Sequence, residues 1–270
     1  MITITQLDFS RELPFVSTAT DDLYDSVAQD FTDTFSSLTV AALSPAVAEA
    51  LPAVIEPSVR QFVITDAFLG KIHSRDVILT DTGFGIVSNQ NIAPASQQRV
   101  EAARKEISFR RDMALERIVD LCRRVSGWAD TIQAEVQIPT LLWNPTLLAA
   151  NTAQTSWPSY EDLRKATPAI VDAETKLRRM LGEALMEQLL AEERRALLKE
   201  ERFRAVQLMR RYIGAVIDDR HDAQRRYALL ANFIEQHIDR FPEYRDSRAY
   251  TANHHQGYEN KKDDPTFFFG

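Results

Sequence analysis

Residues 76–96 read DVILTDTGFGIVSNQNIAPAS, and they carry the plainest β signal in a chain of otherwise helical pattern. Val77, Ile78 and Leu79 form one short apolar run; Phe84, Ile86 and Val87 form a second. Asp81, Thr82 and Gly83 stand between them, and glycine reaches the left-handed conformation that a short bulged loop requires. The spacing predicts a β-hairpin over about 76–88, a polar connector, and a long helix that starts near Ser96.

Working outward, the residues before the hairpin read as short helices broken by proline. Residues 1–20 look extended or loop-like. Leu23, Val27, Phe31 and Phe35 fall at four-residue steps behind Thr20, a capping residue type, and predict one helix over 21–35. Pro57 opens a further helix through Val59, Phe62, Val63, Ala67 and Phe68, with Gly70 as its stop. After the hairpin, an amphipathic helix is expected from 96 to about 128. Its core face carries Val100, Ala103, Ile107, Ala114, Ile118, Leu121 and Val125. Arg104, Lys105, Arg110, Glu116 and Arg123 lie opposite and read as a solvated face, with an inter-subunit salt-bridge surface as the alternative.

Residues 135–160, rich in proline, asparagine and threonine, read as a loop between two helical parts, with Trp143 and Trp157 as candidate contact anchors if exposed; the alternative is that both tuck onto the protein's own core. Ser159 and Asp162 have capping-box spacing. Leu177, Leu181, Leu185 and Leu189 mark the next helix, whose charged C-terminal half either stands in solvent or pairs with a neighbour. Two further faces follow, Val206 to Val216 and Tyr227 to Phe241. The expected fold is mainly α: a multi-helix bundle with one β-hairpin and an extended C-terminal tail. The expected division is 1–134, a helical part with the hairpin; 135–160, a linking loop; 161–242, long helices; and 243–270, a docking tail. Phe267, Phe268 and Phe269 close that tail behind a polar run, and each gains about 1.5–3 kcal/mol on burial. With Tyr258 and Phe84 they complete the expected docking residues; the alternative is that the three phenylalanines fold back onto this chain's own core.

Composition narrows the function classes. With 270 residues the chain can bury proper cores. A net charge of −7 argues against a general nucleic-acid or anionic-membrane binder. The single cysteine, Cys122, lies on an apolar helical face and reads as buried filler; it excludes an intrachain disulfide framework. The first residues lack the regions of a signal peptide, and the most apolar stretch, 38–55, is interrupted by Pro45, Glu49 and Pro52. Assembly in a cytoplasm is the expectation.

The chemistry sought is mostly missing. Asp81-Thr82-Gly83 matches the catalytic triplet of retropepsin-like proteases, but that chemistry needs a second carboxylate, and Phe84 follows where those enzymes want a small residue. The turn reading is preferred. Asp218, Asp219, His221 and Asp222 gather ligand-type side chains at what reads as a helix break, with Asp222 as a cap. Phosphate-binding, dinucleotide and hydrolase motifs do not occur. No catalytic, cofactor or metal residue is expected.

Residues 77–96, with Arg99-Val-Glu-Ala behind them, resemble a poorly characterised family of structural proteins from tailed phages and prophages of anaerobic gut bacteria. The run from Tyr258 through Lys261, Lys262 and Asp263 to Phe267, Phe268, Phe269 and Gly270 resembles the same family's C-terminus. The resemblance implies a head–tail connector, or neck adaptor, lying between capsid and tail in the virion. It implies a portal protein and neighbouring neck or tail proteins as partners, a homo-oligomeric ring, commonly of about twelve copies, and genomic DNA passing without sequence-specific contact. It implies neither cofactor nor membrane. The alternative is a soluble helical interaction module with no virion role.

Overall fold

The computed structural model describes residues 2–14, 21–73, 78–80, 83–85, 97–154 and 156–254. The chain is mainly α-helical. It opens on α1 (Gln6–Glu12), where a loop was expected. Thr5 and Asp8 supply the reason: the Thr5 hydroxyl accepts from the Asp8 N–H at 3.2 Å, and the Asp8 carboxylate accepts from the Thr5 N–H at 2.9 Å. Phe9 and Leu13 then bury beside the helix that follows Pro52.

The single helix expected over 21–35 is two, α2 (Asp21–Ala28) and α3 (Phe31–Leu38). The break lets Leu23 and Val27 enter one hydrophobic cluster while Leu38 enters another, which one straight helix could not do. A π-helical turn, Thr39–Leu43, leads to α4 (Pro45–Glu49), capped by the Ser44 hydroxyl. Next, α5 (Glu56–His73) runs through the stop expected at Gly70, because Leu69 and Ile72 on either side are buried.

β1 (Ile78–Thr80) and β2 (Gly83–Gly85) pair antiparallel with Leu79 opposite Phe84. The longer hairpin expected over 76–88 is not seen among the described residues, and its turn residues Asp81 and Thr82 and its flanks lie outside them. No side-chain role follows for Phe84.

α6 (Gln97–Cys122) packs along α5 and ends before the expected 128. Gly127, at φ 79°, turns the chain into a 3₁₀ turn that buries Trp128, whose Nε1 donates to the Ala42 carbonyl at 2.8 Å. Residues 135–160, expected as a linking loop, carry α7 (Ile132–Gln137) through its end and α8 (Pro145–Asn151). They also place Ile138, Leu141, Leu142, Trp143 and Leu148 in the main core.

α9 (Tyr160–Leu181) starts at the predicted capping box. The leucine row from 177 to 189 is continuous in pattern, but Gly182 at φ 95° breaks it into α9 and α10 (Glu183–Arg194). α11 (Glu200–Ile217) and α12 (Ala223–Gln236) pair as an antiparallel hairpin. Gly214 sits where α11 meets the last carbonyl of α8: a Cβ there would stand 2.6 Å from the carbonyl carbon of Asn151. Residues 243–253, expected to be extended, are helical instead, in α13 (Pro242–Arg245) and α14 (Arg248–Asn253). Tyr244 is buried, and the Asn253 amide donates to the Met180 carbonyl, which ties this end to α9. Tyr258 and Phe267, Phe268 and Phe269 lie outside the described residues.

One cluster, drawn from α3 through α13, forms the main core; a smaller one is built from α1, α2, α5 and α6. Cys122 is fully buried, as its apolar face predicts, and burial pushes its thiol up to about 12.

Candidate docking groove and its buried support

The sequence offers an aromatic anchor in Trp157, and local geometry fixes where it points. The Ser159–Asp162 capping box closes the N-terminus of α9, with the Ser159 N–H donating to Asp162 at 2.9 Å. Buried Asp112 on α6 accepts from the Tyr160 N–H at 3.3 Å and pins that start against α6. Pro158, between these anchors and Trp157, limits the chain's freedom. Trp157 therefore meets Phe109 of α6 edge to face, with ring centroids 6.4 Å apart and planes at 85°. Both rings face solvent: Trp157 is 52% exposed and Phe109 43%. Met113, one helical turn on from Phe109, is 38% exposed on the same face.

These rings line an open groove of about 650 Å³ between α6 and residues 156–162. Its rim is of mixed charge, with Arg104, Lys105 and Arg111 beside Glu101, Asp112, Glu161 and Asp162. Arg111 is held in place, with Nη2 2.8 Å from Asp112 and Nη1 3.5 Å from Asp66 of α5. An aromatic floor with a rim of both charge signs suits a protein segment that brings a ring to the floor and polar groups to the rim.

Trp143 is the correction. It is 4% exposed and belongs to the core, so it offers no contact anchor. Its Nε1 donates to Glu193 at 2.9 Å, in the middle of a buried charge network. Arg123 Nη2 lies 3.1 Å and Arg210 Nη2 2.8 Å from the same carboxylate oxygen. The Arg210 approach is off the hydrogen-bond line, so that contact is an ion pair by proximity. Arg123, expected on a solvated face, also donates through Nε to the Glu193 carbonyl at 2.7 Å and lies over the Trp143 ring at 5.4 Å. The charged half of α10 thus takes the second of its two expected courses and pairs with neighbours.

Leu141 is clamped on both sides of its backbone. Its N–H donates to Glu174 of α9 at 2.6 Å, and its carbonyl accepts from Arg210 of α11 at 2.9 Å. Sequence reading missed this network: Glu174, Glu193 and Arg210 look like ordinary helix-surface charges. Their one signal is position, because Glu174 lies between Ala173 and Leu177 of the apolar face and Arg210 between Met209 and Ile213.

Burial pushes the Glu174 carboxyl up to about 7 from its ordinary 4.5, against the opposing pull of the Leu141 N–H. The folded state then holds a proton that the unfolded chain has released, so this contribution to stability is complete below pH 4.5 and is lost as pH rises through 7. Glu174→Gln stays neutral and is expected to escape the loss, on the order of 2–3 kcal/mol. Urea midpoints at pH 5 and pH 8 check it: the variant's advantage must grow with pH, and an equal offset at both values would contradict it.

Among the described residues no group of three or more His, Cys, Asp or Glu side chains is placed to hold a metal. Asp218 accepts from the Ala153 N–H at 2.7 Å instead. Asp222 stands at the start of α12 without a capping hydrogen bond and pairs with Arg226 at 2.8 Å. Asp81 lies outside the described residues. Among those described, no helix is long and apolar enough to cross a membrane.

No curated protein and no solved structure matches the chain. Residues 15–137, a span that takes in α2 through α7, match a family described only as one of unknown function (DUF6712).

Proposed function

We propose that this chain is a structural, non-enzymatic adaptor that works by docking to other proteins. In the setting implied by the resemblance, it serves as a head–tail connector in a virion neck, forming an oligomeric ring that binds the portal and lets DNA pass. The observation that carries the reading is the gathering of exposed apolar side chains into separate patches. Phe109, Met113 and Trp157 make one. Val40, Ile132 and Val136 make another, where α7 lies against the π-helical turn and Gln133 donates to the Val40 carbonyl at 3.0 Å. The second patch lies near the C-terminal end of α6, whose Cys122 is about 20 Å along the helix axis from Phe109. Two unlike patches on one subunit are what a head-to-tail ring contact requires. The β1–β2 pair and the segment holding Tyr258 and Phe267 to Phe269 are further contact elements in this proposal.

Trp157→Ala is expected to weaken self-association about 30-fold, the effect of losing an aromatic anchor, while shifting the melting temperature by no more than about 3 °C. Sedimentation velocity across concentrations reads the first and thermal melting the second. Undiminished association would remove the groove from the proposal. Antibody-labelled electron microscopy of particles from a source lysate tests the setting. Label at the head–tail junction supports the neck. Label elsewhere on the particle leaves a structural protein of a different station, and no label on particles, with the protein intact and accessible, rejects the virion role.

A further inference from the structure

We infer that the outer face of the α11–α12 hairpin pairs two-fold with the same face of a second copy of this chain. The inference goes beyond the docking reading above and uses other residues, so it does not rest on it. Helix geometry builds the face. Glu200, Arg204, Leu208 and Arg211 fall within about 100° on one side of α11, and Arg225, Leu229, Phe233 and Gln236 fall on one side of α12. The antiparallel pairing of the two helices sets these rows beside each other, with two hollows between them. Arg211, Arg225, Leu208 and Leu229 line one, of about 240 Å³; Glu200, Glu201, Arg204 and Phe233 line the other, of about 460 Å³.

Charge is sorted along this face. Arg211 and Arg225 make its basic end, and Glu200 and Glu201 its acidic end. Among the described residues none of these four has a side-chain hydrogen bond or an ion pair. The other charges nearby are answered: Asp222 accepts from Arg226 at 2.8 Å, and the Arg204 guanidinium lies over the Phe233 ring at 5.7 Å. Between the ends lie Leu229, 54% exposed, and the partly buried Leu208 and Phe233. Symmetry then selects the occupant. Glu200 and Arg211 stand about 16 Å apart along α11. A second copy laid face to face and turned by half a circle presents the same separation with the signs exchanged. Both acidic ends meet basic ends at once, and Leu208 and Leu229 of one copy come over Phe233 of the other. The chain's own C-terminal segment does not match that spacing. Its Lys261-Lys262 and Asp263-Asp264 are adjacent, so even fully extended the two pairs centre only about 7 Å apart. A partner of one charge sign would leave one end unanswered.

Charge reversal tests it, in the full chain carrying Trp157→Ala so that the groove contact proposed above is already weakened. Sedimentation velocity is expected to show a dimer of that chain at about 100 µM, where a contact of ordinary strength is populated. Adding Arg211→Glu and Arg225→Glu makes both ends of the face acidic; adding Glu200→Lys and Glu201→Lys instead makes both ends basic. Each double change is expected to weaken the pair at least about 100-fold, because like charges meet at both ends. An equimolar mixture of the two variants is expected to regain a one-to-one dimer, and a chain with all four changes to regain a dimer by itself. Near-ultraviolet circular dichroism checks that each variant is folded, and a misfolded variant could not regain the pair. A Trp157→Ala chain that stays monomeric overturns the inference, as does a reversed variant that dimerises like its parent. Reversal that weakens the pair while neither the mixture nor the four-change chain regains it overturns the inference too, and is the result expected if the face meets the C-terminal segment or an unlike surface. These outcomes concern the α11–α12 face alone; the groove reading stands or falls on the comparison of Trp157→Ala with the parent chain.

Discussion

Gly214→Ala is expected to lower the melting temperature by about 6–12 °C, the shift that follows from roughly 3 kcal/mol in a chain of this size. Elsewhere in a helix the same change gains about 1 kcal/mol, because alanine restricts the unfolded chain and favours helix. At position 214 the added carbon meets the carbonyl carbon of Asn151 at 2.6 Å, and its neighbours are backbone rather than the movable end of a side chain. Either α11 shifts off α8, opening the core around Leu148 and Ile213, or the helix distorts. Gly70→Ala is the control: it also lies in a helix, a Cβ there meets nothing within 4 Å, and it is expected to hold or raise the melting temperature. Matching behaviour at the two sites would mean that α8 and α11 do not approach so closely.

Breaking the buried charge network is the second large effect. Glu193→Leu leaves the Arg210 guanidinium, 4% exposed, without its carboxylate and removes the chief partner of Arg123, at an expected loss of about 3–5 kcal/mol. Arg123 keeps Asp120 at 3.1 Å; Arg210 keeps the Leu141 carbonyl, a neutral acceptor. Adding Arg210→Met to Glu193→Leu is therefore expected to recover more than half of the loss, because no unpaired buried charge remains on α11. Urea unfolding of the parent, both single variants and the double variant gives the coupling directly. A double variant as unstable as the sum of the singles would show that the two groups act independently.

The helical class was legible in the sequence because apolar residues recur at three- and four-residue spacing, and the start of α9 because Ser159 and Asp162 carry a local capping signal. Helix ends were less legible. Gly70 and Gly182 are alike in sequence, yet α5 passes through the first and α9 stops at the second, since only Gly182 adopts a positive φ. Tertiary demands decide such cases, as the division between α2 and α3 shows, with one helix facing each cluster. The groove was half legible. Trp157 stood out as a residue type in a proline-rich stretch, while Phe109 read as one more position on a helix and declared itself only by meeting that ring. Trp143, equally prominent in sequence, faces inward because Glu193 and Arg123 wait there for its indole. Partners separated by whole helices in the chain leave no local trace.

Cys122 carries a practical consequence for following this molecule at work. Its thiol is fully buried and resists ionisation, so it is closed to thiol-reactive dyes while the fold is intact. With no other cysteine in the chain, the native protein behaves toward such dyes as a cysteine-free scaffold. A fluorophore attached through one introduced surface thiol then reports on that place alone, and the natural residue need not be removed from the core to obtain it.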